Sequence, residues 1–218
     1  MPASARSRNG ATSAPRRKKW EPLRSMLQGR QPLDKGRACE VTDFVVENPR
    51  QLSELIEFLF DDDPGVANRA CDALERATAG KSPRLNPQRL APWKGPLLGL
   101  LADARPNKLR WNLALTLPRM KLTAAEAQRA AATLRDYLND SSSIVKTAAM
   151  QGLADLTRHD PSLLPEVLDL LRILSRSGTP AMRARGRILL KKIESGNEKL
   201  SRRLRAEGGT DAGRRLIH

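Results

Sequence analysis

Between Val145 and Leu156, apolar or small residues recur at 0, +4, +7, +8 and +11: Val145, Ala149, Gly152, Leu153 and Leu156. That spacing traces one stripe along a helix and predicts a helix with a single buried face. The same ruler fits three more stretches. From Val66 it meets Ala70, Ala73, Leu74 and Ala77; from Leu109 it meets Leu113, Thr116, Leu117 and Met120; from Met182 it meets Gly186, Leu189, Leu190 and Ile193. No charge interrupts any stripe. A first apolar cluster precedes each anchor: Leu55, Ile56 and Leu59; Leu97, Leu98, Leu100 and Leu101; Leu134 and Leu138; Val167, Leu168, Leu170, Leu171 and Leu174. The anchors lie 43, 36 and 37 residues apart, the length of two antiparallel helices with their turns.

Local punctuation supports the same map. Asn48-Pro49 predicts the start of a helix through Phe60, Asp63-Pro64 one through Ala77, and Thr179-Pro180 the second helix of the last pair. Thr123 with Glu126 forms a capping box before AQRAAATLRDYL. Gly80 to Pro96 is too proline-rich for one helix, reads as a long connection with a helical turn after Asn86-Pro87, and explains the longer first interval. Upstream, Val41, Phe44 and Val45 share a face of a short helix that would cap the first pair.

With these helix pairs in place, the chain resembles the HEAT-repeat family of α-solenoids over roughly residues 50 to 195. That family carries an Asp in the turn before the anchor and a basic residue just after it. Asp61, Asp103 and Asp140 stand before three anchors, and Arg110, Lys146 and Arg183 follow three; Ala67 and Ser177 depart from the pattern. The resemblance implies that Arg110 and Lys146 pair with turn acids of neighbouring repeats, and that the second helices line a concave surface. It speaks to fold far more than to function. Some alkylpurine DNA glycosylases share a HEAT-like solenoid, with a Trp-lined cleft and a catalytic Asp. Here the position one turn beyond Trp111 is Leu115, which argues against that activity.

Composition fits an all-α repeat protein. In 218 residues the hydrophobic content is 39%, lean for one compact core, and aromatics are only 3%, so Ala and Leu do the packing. The net charge of +15 sits at the ends: residues 1–37 hold ten Lys or Arg against two acids, residues 177–218 eleven against four, and the middle eighteen of each. The first 19 residues have no acid and no apolar periodicity, so disorder is expected. Their Arg- and Ser-rich composition is also that of an organelle transit peptide, but their spacing forms no amphipathic helix. No apolar run is long enough for a secretory core or a membrane span, which predicts no membrane insertion and a soluble, cytoplasmic protein.

Few residues invite chemistry. Two Cys and two His have no metal-ligand spacing, no phosphate-binding glycine loop exists, and no cofactor or metal is expected. Cys71 falls beside a packing stripe and reads as an inert buried thiol; His159 reads as a solvated turn residue. Asp61-Asp62-Asp63 reads as a structural cap, because consecutive acids point in different directions. Trp111 and Asn112 lie off the packing stripe and are the candidate partner-binding pair. Trp93 would plug the long connection.

Candidate anion or nucleic-acid contacts are Arg16, Arg17, Lys18 and Lys19 in the N-terminal segment; Arg183, Arg187 and Lys191 along one flank of the last repeat helix; Arg185 and Lys192 opposite; and Arg202, Arg203 and Arg205 beyond it.

The sequence therefore predicts an all-α protein: an α-solenoid of about four HEAT-like antiparallel helix pairs in a right-handed stack, capped by a short N-terminal helix. Residues 1–37 form a basic, mostly disordered segment, 38–195 the repeat domain and 196–218 a basic tail. The expected function is a non-enzymatic scaffold or adaptor binding a protein partner, with sequence-independent nucleic-acid binding by the basic ends as the alternative; the sequence sets no oligomeric state.

Overall fold

The structure is a computed structural model that describes residues 23–29, 37–80 and 83–208, with side chains through 196. Among them every regular element is helical: α1 (Leu23–Leu27), α2 (Ala38–Glu47), α3 (Leu52–Glu57), α4 (Pro64–Thr78), α5 (Lys94–Asp103), α6 (Asn107–Thr116), α7 (Ala124–Tyr137), α8 (Ser143–Leu156), α9 (Leu164–Ser177) and α10 (Pro180–Gly208). Short 3₁₀ turns extend several of them, as at Phe58–Phe60 and Leu117–Arg119.

Alternate helices form a row. α2 packs on α4, α4 on α6, α6 on α8 and α8 on α10, while α3, α5, α7 and α9 each pack against the helix that follows them. The apolar stripes are what the row buries. All five stripe positions of α4, of α6 with its 3₁₀ extension, and of α8 are buried; in α10 Met182, Gly186 and Leu189 are buried, whereas Leu190 and Ile193 are half-buried. The difference is one of neighbours, since α10 has α8 and α9 beside it and no later element of the described chain over it.

Caps agree with local chemistry. The Asp63 carboxylate accepts the Gly65 N–H at 2.7 Å, Thr123 and Glu126 complete the capping box, and Thr179 Oγ1 accepts the Met182 N–H at 3.3 Å. Asn48 differs from expectation: its side-chain amide donates back to the Phe44 carbonyl and closes α2, so a 3₁₀ turn at Pro49–Gln51 precedes α3. The long connection begins after Gly80, whose φ of 87° suits a residue without Cβ. It folds into a 3₁₀ segment, Pro87–Trp93, capped by Asn86 and anchored by buried Leu85 and Leu90, with Trp93 half-buried against the core. Pro96, expected to belong to this connection, lies instead in the first turn of α5, where its missing N–H breaks no helical bond.

Two boundaries differ from the sequence reading. Inside the basic segment 1–37, α1 buries Leu23, Met26 and Leu27, and Arg69 of α4 donates through Nε to the Leu27 carbonyl; an apolar triplet at helical spacing overcomes the segment's overall polarity. The rest of the expectation for 1–22 lies outside the described residues. At the other end there is no break at 195. α10 continues to Gly208, through a stretch rich in helix-favouring Glu, Lys, Leu and Arg, and Glu194, Ser195 and Gly196 are already exposed.

α2 packs on α4 at the start of the row, with Val41 and Val45 buried and Phe44 half-buried, and α1 packs against both α2 and α4; the Thr42 hydroxyl donates to the carbonyls of Ala38 and Ala73. α8 comes close to α6 at Gly152, where an added Cβ would sit 2.6 Å from the Ala114 carbonyl oxygen and 2.7 Å from Leu134 Cδ1. Gly99, exposed in α5, has nothing within 4 Å. Gly152→Ala is therefore expected to lower the urea midpoint by the equivalent of about 1–3 kcal/mol, and Gly99→Ala to raise it by about 0.5–1 kcal/mol. Leu153→Asp, placing a carboxylate at a site 2% exposed, is expected to cost several kcal/mol, against about 1 kcal/mol or less for Lys146→Ala.

Candidate functional site

Two, six and ten residues after each anchor, helix geometry turns side chains away from the stripe and toward the outer side of the row. On α4 the first two of these positions do not reach solvent: Asn68 and Asp72 are buried, while Arg76 is half-buried. On the later helices they do. Trp111 and Leu115 of α6 are half-buried, Thr147, Gln151 and Asp155 of α8 are half-buried, and Ala184 and Lys192 of α10 are exposed. Ile188 between them is 61% exposed, and Ile144 at the start of α8 is 55% exposed. An outward face of α6, α8 and α10 thus presents one aromatic and several aliphatic side chains among polar ones.

Trp111 belongs to this face, packed on one side against the core. Asn112 does not. One position further round α6, it is 2% exposed, so it is no surface anchor. Asn112, Lys108 and Thr116 follow one another by single turns along α6, as Asn68 and Asp72 do along α4, and all five are buried in these two adjacent helices. The Lys108 ammonium stands 3.6 Å from Asp72, whose other oxygen meets Arg76 Nε at 3.2 Å. Further along, Arg119 pairs with Glu75 at 2.6 Å and donates to the Glu75 carbonyl and the Thr78 hydroxyl. Sequence reading missed this seam because polar residues beside a stripe ordinarily face water. The available signal was their one-turn repeat on two adjacent helices with opposite charges.

The turn charges divide. Arg110 reaches Asp140 of the next turn at 2.8 Å, while Asp140 also accepts the Ser142 N–H, so this pair locks α6 to the start of α8. The Arg110 guanidinium lies 5.9 Å from the Tyr137 ring centroid. Burial pushes the Tyr137 phenol up to about 12, and its O–H donates to the Leu101 carbonyl. Asp61 finds its partner in Arg24 of α1, at 3.2 Å, and also accepts the Asp63 N–H. Lys146, expected to pair likewise, has no ion pair among the described residues, because Ser177 stands where its acid would be.

The cations of α10 also divide. Arg185 donates to Gln151 at 3.2 Å and Lys192 meets Asp155 at 3.5 Å, while Gln151 donates to Asp155 at 2.7 Å; these two exposed cations reach from α10 to α8. Arg183 donates to the Gly178 carbonyl. Arg187 and Lys191 are exposed, with no hydrogen bond or ion pair among the described residues. Arg202, Arg203 and Arg205 lie on the helix beyond the described side chains, and Arg16, Arg17, Lys18 and Lys19 lie outside the described residues.

His159, expected in solvent, is half-buried: its Nε2 lies 2.9 Å from the Pro118 carbonyl, beside Arg158, which donates to the same oxygen. It ties one turn to the preceding pair. Cys71 is fully buried, and burial pushes its thiol far above the ordinary range, which keeps it protonated and inert. Among the described residues no group of His, Cys, Asp and Glu is placed to hold a metal ion, and no helix is long and apolar enough to cross a membrane.

Four carboxylates titrate below their ordinary range: Asp61 through the Asp63 N–H and Arg24, Glu126 through Lys94 and the Thr123 N–H, Asp160 through Ser162 and Gln128, and Glu166 through Arg135. A depressed folded-state pKa adds stability that is present above about pH 4 and lost as pH falls through the depressed value. The urea midpoint should hold from neutral pH to about 5 and fall below about 4, and Asp61→Asn should make that acid limb shallower.

Matched against models of known protein families and against curated proteins, the chain finds no counterpart.

Proposed function

We propose that this protein is a HEAT-like α-solenoid, a right-handed stack of about four helix pairs capped by α2, and that it serves as a non-enzymatic cytoplasmic scaffold binding another protein on the outward face of α6, α8 and α10. The observation that carries the reading is the exposure of Ile188 and Ile144 on the same side of the row as half-buried Trp111 and Leu115. Aliphatic and aromatic side chains amid polar neighbours are the makings of a protein interface, and a face built on packed helices binds with little ordering cost. Phosphate contacts would not use isoleucine.

The alternative, sequence-independent nucleic-acid binding, is favoured by one observation, that Arg187 and Lys191 are exposed with no ion pair among the described residues. Photocrosslinking in the native cell separates the two. With a photoreactive phenylalanine analogue at Ile188, a discrete nuclease-resistant protein adduct is expected, absent when the analogue replaces exposed Ile173 of α9. Nuclease-sensitive adducts, or the same pattern from both positions, would contradict the protein-binding reading.

A further inference from the structure

Every helix of the row before α10 is covered on the side that meets its successor. Five residues after the anchor stand Cys71, Ala114 and Met150, each fully buried under the next helix. The α10 counterpart is Arg187, exposed. One residue after the anchor, Ala67 is buried and Arg110 and Lys146 are half-buried, whereas Arg183 is exposed; nine after, α10 offers exposed Lys191. Arg183, Arg187 and Lys191 are spaced by single turns and form a straight cationic stripe, and no acid occurs between Pro180 and Ile193. The side of α10 that no described element covers is therefore positive from Arg183 to Lys191.

At the α2–α3 end of the row carboxylates outnumber the cations the structure places beside them, Arg24, Arg37, Arg50 and Arg84. Residues 38–63, which build α2, α3 and the turn into α4, hold eight carboxylates against one basic residue, Arg50. Some are satisfied locally: Asp61 by Arg24, Glu40 by Arg37, Asp43 by Arg84, and Asp63 as the α4 cap. Glu47, Glu54, Glu57 and Asp62 have no hydrogen bond or ion pair among the described residues. Beside them Phe60 is 50% exposed.

We propose that these two ends dock on one another in separate copies of the chain, the cationic side of α10 receiving the acidic α2–α3 end of a second copy, head to tail. The contact continues the row, placing helices where a successor to α10 would lie, and matches unpaired cations with unpaired carboxylates. A nucleic acid could use the cations, but the acidic end would repel it. The net charge of +15 opposes approach at very low salt, whereas at about 0.1 M screening confines the interaction to about 10 Å and the local attraction decides. Such a contact is heterologous and does not close, so assembly proceeds past the dimer. It uses neither Ile188 nor Trp111, so it can fail without the proposed protein-binding face, and the reverse.

Sedimentation velocity of the nuclease-treated full chain tests this. At about 0.1 M salt the weight-average sedimentation coefficient should rise with protein concentration, and at about 1 M it should not. Arg187→Glu with Lys191→Glu, and separately Glu54→Lys with Glu57→Lys, should each weaken self-association by about tenfold or more, with helical circular dichroism unchanged. An equimolar mixture of the two variants should associate again, because each then offers the other a complementary end. A wild-type chain that stays monomeric, variants that associate undiminished, or a mixture that does not recover would each overturn the proposal. Association that vanishes on nuclease treatment would assign the cations to nucleic acid instead.

Discussion

Close approach between successive members of the helix row is the constraint on which the remaining structure depends. Where Gly152 meets the Ala114 carbonyl there is no room for a methyl group, and Ala70, Ala73, Cys71, Ala148 and Ala149 are small residues buried in the same row. Small side chains let helix backbones come close, so many weak dispersion contacts accumulate over a long interface. Larger residues then fill the space between the row and the preceding helices, as Leu134, Leu153 and Leu101 do. A protein with 3% aromatics is packed in this way because density, not side-chain size, supplies the contacts.

Electrostatics supplements that packing at the places where it is thinnest. The Arg110–Asp140 and Arg24–Asp61 pairs sit at turns, where backbone donors also need acceptors, so one carboxylate serves a cap and an ion pair together. The Asp72–Lys108 seam is different, since it is buried between two helices that apolar residues could have joined. Buried pairs of this kind add little net stability but penalise any slip that separates them, which suits an interface of small residues that would otherwise slide.

Much of this was legible from periodicity. The four stripes located every second helix, and eighteen of their twenty positions are buried, because a helix with one apolar face has only one way to satisfy it. The two exceptions, Leu190 and Ile193, belong to α10, the row helix that has no successor among the described residues. Less legible were α1, whose five residues fall below the length at which periodicity speaks, and the continuation of α10, whose start at residues 194–196 is exposed. Asn112 escaped because a stripe marks only the apolar face of its helix, whereas Asn112 is a polar residue outside the stripe that is buried all the same. Arg185 and Lys192 escaped for a related reason: a run of cations on one helix does not reveal that Gln151 and Asp155 of the neighbour wait at matching height.

Among the described residues α4, α6 and α8 are covered on both sides within the row, while α10 is covered on one. Hydrogen exchange of the backbone amides, followed by mass spectrometry of peptides, measures this directly. Exchange should be slowest in α4 and α6, slow in α8, faster in Pro180 to Ile193 and fastest in α10 beyond Glu194. Amides of α10 as protected as those of α4, or an α4 exchanging as fast as α10, would contradict the account.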